Sequence, residues 1–138
     1  PVYGSNGVVG NHSKYLVNGP GIIIGRKGSI GEINFSKKDF WPIDTTYYIK
    51  VKNNIDMLFL FYLLKNYNLK LNRSTAVPGL NRNDVYSIKF ITPPIEIQEE
   101  FASVVEHVEA MKERVTKTQA ETEELFNSLM QKAFRGGL

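Results

Sequence analysis

Residues 94–134 read PIEIQEEFASVVEHVEAMKERVTKTQAETEELFNSLMQKAF, and this stretch decides the fold. Its apolar residues recur at alternating steps of four and three, which is the a/d pattern of a coiled-coil helix. Neither Gly nor Pro interrupts the pattern between Ile95 and Arg135. The sequence therefore predicts one long helix with a narrow seam, whose apolar members are Ile97, Phe101, Val104, Val108, Met111, Val115, Leu125 and Leu129.

Both ends of this helix carry sequence signals. Pro93-Pro94 predicts the start, because a proline in the first turn gives up only an N–H that has no helical partner. Gly136-Gly137 predicts the stop. Two seam positions, Thr118 and Thr122, are polar; they set the register at a local cost in stability, or they face a different partner.

A seam this long requires a partner along most of its length. The alternative is a core helix of a single small domain, but a core-facing helix usually shows a wider apolar stripe. A partner helix, from a second copy or from another chain, is therefore expected.

Charge divides the chain into two parts. Residues 1–94 contain 12 Lys/Arg and five acids, a net charge of +7, whereas the helix contains five Lys/Arg and nine Glu, a net charge of −4. A basic head attached to an acidic arm indicates that the head binds a polyanion such as DNA. Ordinary solubilising charge is the alternative.

Composition excludes several classes of protein. The chain has no cysteine, which rules out disulfides and Cys-ligated metals, and its two histidines lie on different predicted elements. No apolar run reaches membrane length. We therefore expect a cytoplasmic protein without a metal site. Because the chain begins at Pro1 rather than Met, we also expect a preceding segment.

Residues 1–46 alternate glycines with short apolar pieces, which indicates β-structure. Strands are predicted near 21–25, 30–35 and 45–51, with a hairpin turn at Asn6-Gly7. A helix is predicted over 55–69, capped by Asn54 or Asp56, and a further strand over 85–91.

The segment Gly25–Gly31 (GRKGSIG) resembles a phosphate-binding loop only superficially. A Walker motif needs Gly-Lys-Ser/Thr followed by a helix, and here Lys27 precedes Gly28. Arg26 and Lys27 beside glycines suit a DNA phosphate or a guanine edge instead.

Other polar turns offer the same chemistry, with a turn-forming role as the alternative for each residue. Asn6 and Arg73 are candidates for base edges, and the cations for phosphates. The full set of predicted DNA-binding residues is Asn6, His12, Lys14, Arg26, Lys27, Ser29, Arg73, Ser74 and Thr75. Asp44 and Lys50 resemble part of a nuclease acid–acid–lysine cluster, but the second acid is missing, so Asp44 is interpreted as a structural hydrogen-bond acceptor.

Several of these segments resemble the specificity subunits of type I restriction–modification systems. STAVPGLN at 74–81, IKF at 88–90 and PPIEIQ at 93–98 are similar to the C-terminal part of a target recognition domain in that family. GRKGSIG at 25–31 and WPIDTT at 41–46 are similar to earlier segments of the same domain, and LMQKAFRG at 129–136 to the end of the spacer helix.

The resemblance implies a non-enzymatic half of a specificity subunit, since family members carry two recognition domains, each followed by a spacer helix. Such a half would restore the whole as an antiparallel homodimer through the seam. The implied partners are double-stranded DNA, methyltransferase subunits on the arm and the restriction subunit. S-adenosylmethionine, ATP and Mg²⁺ would belong to those partner subunits, with no cofactor in this chain.

The predicted fold class is α+β: a small mixed α/β target recognition domain over 1–93, followed by a long coiled-coil helix over 94–138. The predicted function is reading one half of a bipartite DNA site. The alternative is a coiled-coil protein-interaction module that binds no DNA. A third possibility, a small hydrolase, has no support, because the sequence shows no nucleophile–base pair.

Overall fold

A strand buried on both faces lies at the centre of the head. The computed structural model describes residues 1–51, 54–67, 69 and 79–137. In it β3 (Gly21–Gly25) pairs antiparallel with β4 (Ile33–Ser36) on one side and with β6 (Thr46–Tyr48) on the other. Successive side chains of a strand alternate between its faces, so Ile22 and Ile24 join one buried cluster and Ile23 another. The predicted strand over 21–25 is confirmed.

A second sheet covers the Ile23 face. It has the order β2-β1-β5, formed by β1 (Val2–Gly4), β2 (Gly7–Gly10) and β5 (Trp41–Pro42), with β5 parallel to β1. The predicted turn between β1 and β2 is present, and Gly7 takes a φ of 114°, which favours glycine. Tyr3 and Phe40 pack edge to face against Ile23, with ring centroids 5.9 Å apart.

The helix α1 (Met57–Tyr67) covers the other face of β3. Of the two predicted caps, Asp56 is the one that acts, because its Oδ1 accepts a hydrogen bond from the Phe59 N–H at 2.8 Å. Leu60, Phe61 and Leu64 are buried against Ile22, Ile24 and Ile33 of the sheet.

The predicted strand over 85–91 is wrong. Residues Arg82–Tyr86 form a short helix, α2, and residues 88–94 have no regular structure. The Asn81 side chain accepts a hydrogen bond from the Asn83 N–H, and this cap outweighs the alternating apolar pattern. The alternating residues do not share a buried strand face either: Tyr86 is 76 % exposed and Phe90 37 % exposed, and Ile88 is partly buried against the core of the head.

The long helix α3 (Ile95–Phe134) is confirmed at 40 residues, about 60 Å at 1.5 Å per residue. It ends at Phe134, just before the predicted stop: Gly136 has a φ of 70°, and the Gly137 N–H bonds back to the Lys132 carbonyl at 2.9 Å. Within the described residues, no helix combines the length and the apolar character needed to cross a membrane.

Contacts divide the chain into two units, Pro1–Glu99 and Glu100–Leu138. The first turn of α3 thus belongs to the head. Gln98 in that turn is fully buried: its Oε1 accepts from the Asp56 N–H at 2.9 Å, and its Nε2 donates to the Pro93 carbonyl at 2.8 Å and the Asn54 carbonyl at 3.4 Å. A single side chain therefore satisfies three backbone groups inside the head.

Candidate nucleic-acid interface

The turn between β3 and β4 presents the two predicted cations. The Gly25 N–H bonds to the Glu32 carbonyl and the Gly31 N–H to the Gly25 carbonyl, both at 2.8 Å. Gly28 and Gly31 have φ values of 71° and 74°, which only glycine adopts without strain. The turn occupies residues 26–32, so β4 starts at Ile33, three residues later than the predicted strand over 30–35.

Two segments that are distant in sequence contact this turn. The Thr45 carbonyl accepts hydrogen bonds from the Arg26 N–H at 2.8 Å and the Lys27 N–H at 3.2 Å. The Leu80 N–H, just before α2, donates to the Arg26 carbonyl at 3.0 Å, and the Tyr47 hydroxyl donates to the Leu80 carbonyl at 3.3 Å. The backbone of the two cations is therefore fixed by neighbours that are distant in sequence.

A groove of ≈ 930 Å³ opens between these segments. Its apolar lining is Ile24, Ile49 and Val85, and its polar lining includes three cations and three tyrosines. We call it the basic groove and define it by Arg26, Lys50, Arg82, Tyr47, Tyr48 and Tyr86. Lys27 is exposed beside it.

Each cation of the basic groove lies over a tyrosine ring. The guanidinium carbons of Arg26 and Arg82 are 5.4 Å and 5.7 Å from the centroid of Tyr47, and the Lys50 Nζ is 5.8 Å from that of Tyr48. Such contacts hold a long side chain in place while leaving its charge available. The basic groove thus presents three positioned charges beside aromatic surface.

Asp44 also lines the basic groove, and its interpretation as a structural hydrogen-bond acceptor is wrong. The turn around it is held by Thr46, whose N–H and hydroxyl both donate to the Ile43 carbonyl, at 3.0 Å and 2.7 Å. Within the described residues the exposed Asp44 carboxylate accepts no hydrogen bond and forms no ion pair.

The structure brings some of the predicted DNA-binding residues together and separates others. Arg26 lines the basic groove, with Lys27 and the half-buried Ser29 in the same turn. Asn6 lies next to this turn, because a Cβ at Gly25 would come within 2.8 Å of the Ser5 carbonyl oxygen.

His12 and Lys14 belong to a different loop. The His12 ring packs on Trp41, 5.0 Å between centroids, and its Nδ1 accepts from the Lys14 N–H at 3.0 Å, so its contacts shape the loop. The predicted residues Arg73, Ser74 and Thr75 lie outside the described residues.

Five residues of the basic groove were absent from the predicted set: Tyr47, Tyr48, Lys50, Arg82 and Tyr86. Two signals in the sequence point to them in retrospect. Tyr47-Tyr48-Ile49-Lys50 interleaves aromatic and basic residues, a combination common in nucleic-acid binding. Arg82 and Tyr86 are four apart, which puts them on one face of α2.

The predicted seam of α3 is open along its whole length. Its eight apolar members are between 37 % and 66 % exposed. Charged pairs such as Lys112 and Glu109, 2.8 Å apart, lie outside the seam. The helix thus presents an apolar stripe of the kind that coiled-coil pairing covers.

The described residues contain no group of three or more His, Cys, Asp or Glu side chains that could hold a metal ion. The absence of a cofactor and of a metal site in this chain stays a prediction.

Comparison with known proteins identifies the family. Residues 1–124 match the family model of the type I restriction modification DNA specificity domain. The chain is also similar to the type I restriction enzyme EcoprrI specificity subunit of Escherichia coli, with 26 % identity over 119 residues. That alignment covers 85 % of this chain and 30 % of the relative, so the chain spans less than a third of the relative's length. The match extends from the head into α3, and it confirms both the predicted resemblance and the non-catalytic role: the chain belongs to the family of type I restriction–modification DNA specificity domains.

Proposed function

We propose that this chain recognises one half of a bipartite DNA site as a half specificity subunit, and that the basic groove with its adjoining turn is the contact surface. The observation that carries the proposal is the convergence of Arg26, Lys50 and Arg82 on one groove, each over a tyrosine. In this proposal residues 1–93 are the recognition domain and residues 94–138 the spacer and dimerisation helix.

The chemistry of the groove suits duplex DNA. Arginine forms paired hydrogen bonds with the O6 and N7 of guanine in the major groove, and lysine neutralises phosphates. A head with a net charge of +7 would attract the duplex over a longer range. Arg26 and Arg82 are therefore assigned to base edges or phosphates, and Lys27 and Lys50 to phosphates.

The relative's name, a specificity subunit of a type I restriction enzyme, supports the wider assembly. We propose that methyltransferase subunits dock on the arm and that the restriction subunit joins them in the cytoplasm. S-adenosylmethionine, ATP and Mg²⁺ would then be bound by those partners rather than by this chain.

An antiparallel homodimer would cover the seam of α3. A two-fold axis brings the seams of the two copies together. With the axis near residue 113, each heptad position a of one copy lies opposite a heptad position d of the other. The resulting pairs near the axis would be Met111 with Val115, Val108 with Thr118, and Val104 with Thr122. Parallel pairing in register would instead stack Thr118 on Thr118 and Thr122 on Thr122, which gives two consecutive polar layers.

Replacing Arg26 and Lys27 together with alanine should weaken binding to duplex DNA at least tenfold and flatten its salt dependence. Each lost phosphate contact reduces the steepness of log K against log salt by about 0.9, so the reduction is about one when Lys27 alone contacts a phosphate and roughly two when Arg26 does as well. Fluorescence anisotropy with a labelled duplex, titrated from low to high NaCl, measures both quantities.

The matched control for that variant is Lys37→Ala with Lys38→Ala, which removes the same charge from exposed positions after β4. Its slope should change less than that of the Arg26/Lys27 variant. If the two double variants weaken binding equally, the turn contributes only its positive charge and makes no specific contact with DNA.

Cysteine crosslinking tests the register of the proposed homodimer on a background without native thiols. A mixture of the Met111→Cys and Val115→Cys chains, one carrying a size tag, should form a mixed disulfide on a non-reducing gel, because these positions meet across the axis. Each variant alone should crosslink poorly. Strong self-crosslinking of the single variants would indicate parallel pairing instead.

The alternative, a coiled-coil interaction module that binds no DNA, is favoured by one observation, the exposed seam of α3. The salt titration of the wild-type chain separates the two functions. A steep loss of duplex affinity with salt supports DNA recognition, whereas the absence of binding at low salt leaves the interaction module.

A further inference from the structure

Among the described residues that line the basic groove, Asp44 carries the one negative charge. Its carboxylate forms no ion pair within the described residues, although Arg26, Lys50 and Arg82 line the same groove. A surface that binds DNA only through phosphates gains nothing from such a group, because a carboxylate repels the phosphate backbone. An acid at this position is suited instead to a hydrogen-bond donor on the ligand.

The position of Asp44 is also fixed. The residue directly precedes Thr45, whose carbonyl holds the backbone of both Arg26 and Lys27. The Ile43 carbonyl on its other side accepts two hydrogen bonds from Thr46. The carboxylate therefore extends from a rigid turn, and its backbone is tied to that of the two cations.

We propose that Asp44 is a specificity-determining residue that accepts a hydrogen bond from an exocyclic amine of a base, the N4 of cytosine or the N6 of adenine. These amines are the donors that the major groove presents, and Asp and Glu are suitable acceptors for them. Discrimination arises because a duplex that places an acceptor there instead, the O6 of guanine or the O4 of thymine, leaves the carboxylate facing another acceptor without a proton between them. This inference rests on the proposed function.

The test is a selection from duplexes randomised over twenty central base pairs, using the 138-residue chain and its Asp44→Ala and Asp44→Asn variants. The wild type should prefer cytosine or adenine at one base pair. Asp44→Ala should lose that preference by roughly tenfold, in the range expected for one base contact, and should bind the unselected pool more tightly. Asp44→Asn should shift the preference toward adenine, because an amide pairs with both N6 and N7.

Glu113→Gln is the matched control, since it removes one exposed negative charge from α3. It should leave the selected sequence unchanged. An identical selected sequence for the wild type and Asp44→Ala would overturn the role of Asp44 while leaving DNA recognition intact. If the wild type binds duplexes but selects no sequence, or binds none, the proposed function itself fails and the role of Asp44 fails with it.

Discussion

The Gln98→Leu variant is expected to lose about 3 kcal/mol of the free energy of unfolding of the head, because each buried backbone group left without a partner costs about 1–3 kcal/mol. Leucine fills a similar volume but cannot hydrogen-bond the Asp56 N–H or the carbonyls of Pro93 and Asn54, all of which Gln98 contacts in the folded chain. Urea denaturation followed by the fluorescence of Trp41, the one tryptophan in the chain, measures the change in the head.

The control for this variant is Gln131→Leu, which makes the same replacement at an exposed position of α3. Its effect on the Trp41 transition should stay within about 0.5 kcal/mol, as for most surface substitutions. If the two variants unfold at the same urea concentration, the hydrogen bonds of Gln98 contribute little to the stability of the head.

The second large effect is expected from Val108→Glu, which should convert the proposed homodimer into single chains of 15.7 kDa. Val108 lies within the seam, and two-fold symmetry would place a carboxylate from each copy in the covered stripe. Burying unpaired charge costs several kcal/mol, which corresponds to a loss of dimer affinity of about 100-fold or more. Light scattering after size exclusion measures the mass.

Ala110→Glu adds the same charge on the exposed side of α3 and should leave the mass unchanged. A Val108→Glu chain that remains dimeric would exclude the seam as the interface. The monomeric variant should keep its affinity for a single half-site but lose the added affinity for a duplex with two half-sites, because linkage of two heads raises the effective concentration of the second.

Local sequence patterns predicted correctly those elements for which all local signals favoured the same structure. The seam predicted α3, the Pro93-Pro94 and Gly136-Gly137 pairs predicted its ends, and the apolar run Ile22–Ile24 between glycines predicted β3. Over 85–91 two local rules competed. The apolar alternation of Tyr86, Ile88 and Phe90 favoured a strand, but the Asn81 cap started a helix first, and this segment pairs with none of the strands that the structure describes.

The candidate site was harder to predict because its parts are far apart in the sequence. Arg26 stood out through its glycine-rich turn. Arg82 and Lys50 became candidates only when the hydrogen bonds of Thr45 and Leu80 brought their segments to that turn. The environment of Asp44 was unpredictable for the same reason. Its neighbours in sequence suggested a structural role in its own turn, whereas in the structure it lines the basic groove.

The strand β3 is paired on both edges and buried on both faces, and the turn with Arg26 and Lys27 starts at its end. Amides in such a strand exchange with solvent mainly through unfolding of the whole head, so this strand belongs to the least fluctuating part of the molecule. The two cations are thus attached to a scaffold that folding has already ordered. Little further conformational entropy is then lost when a ligand binds to them. Such preorganisation raises the binding affinity without any additional contact.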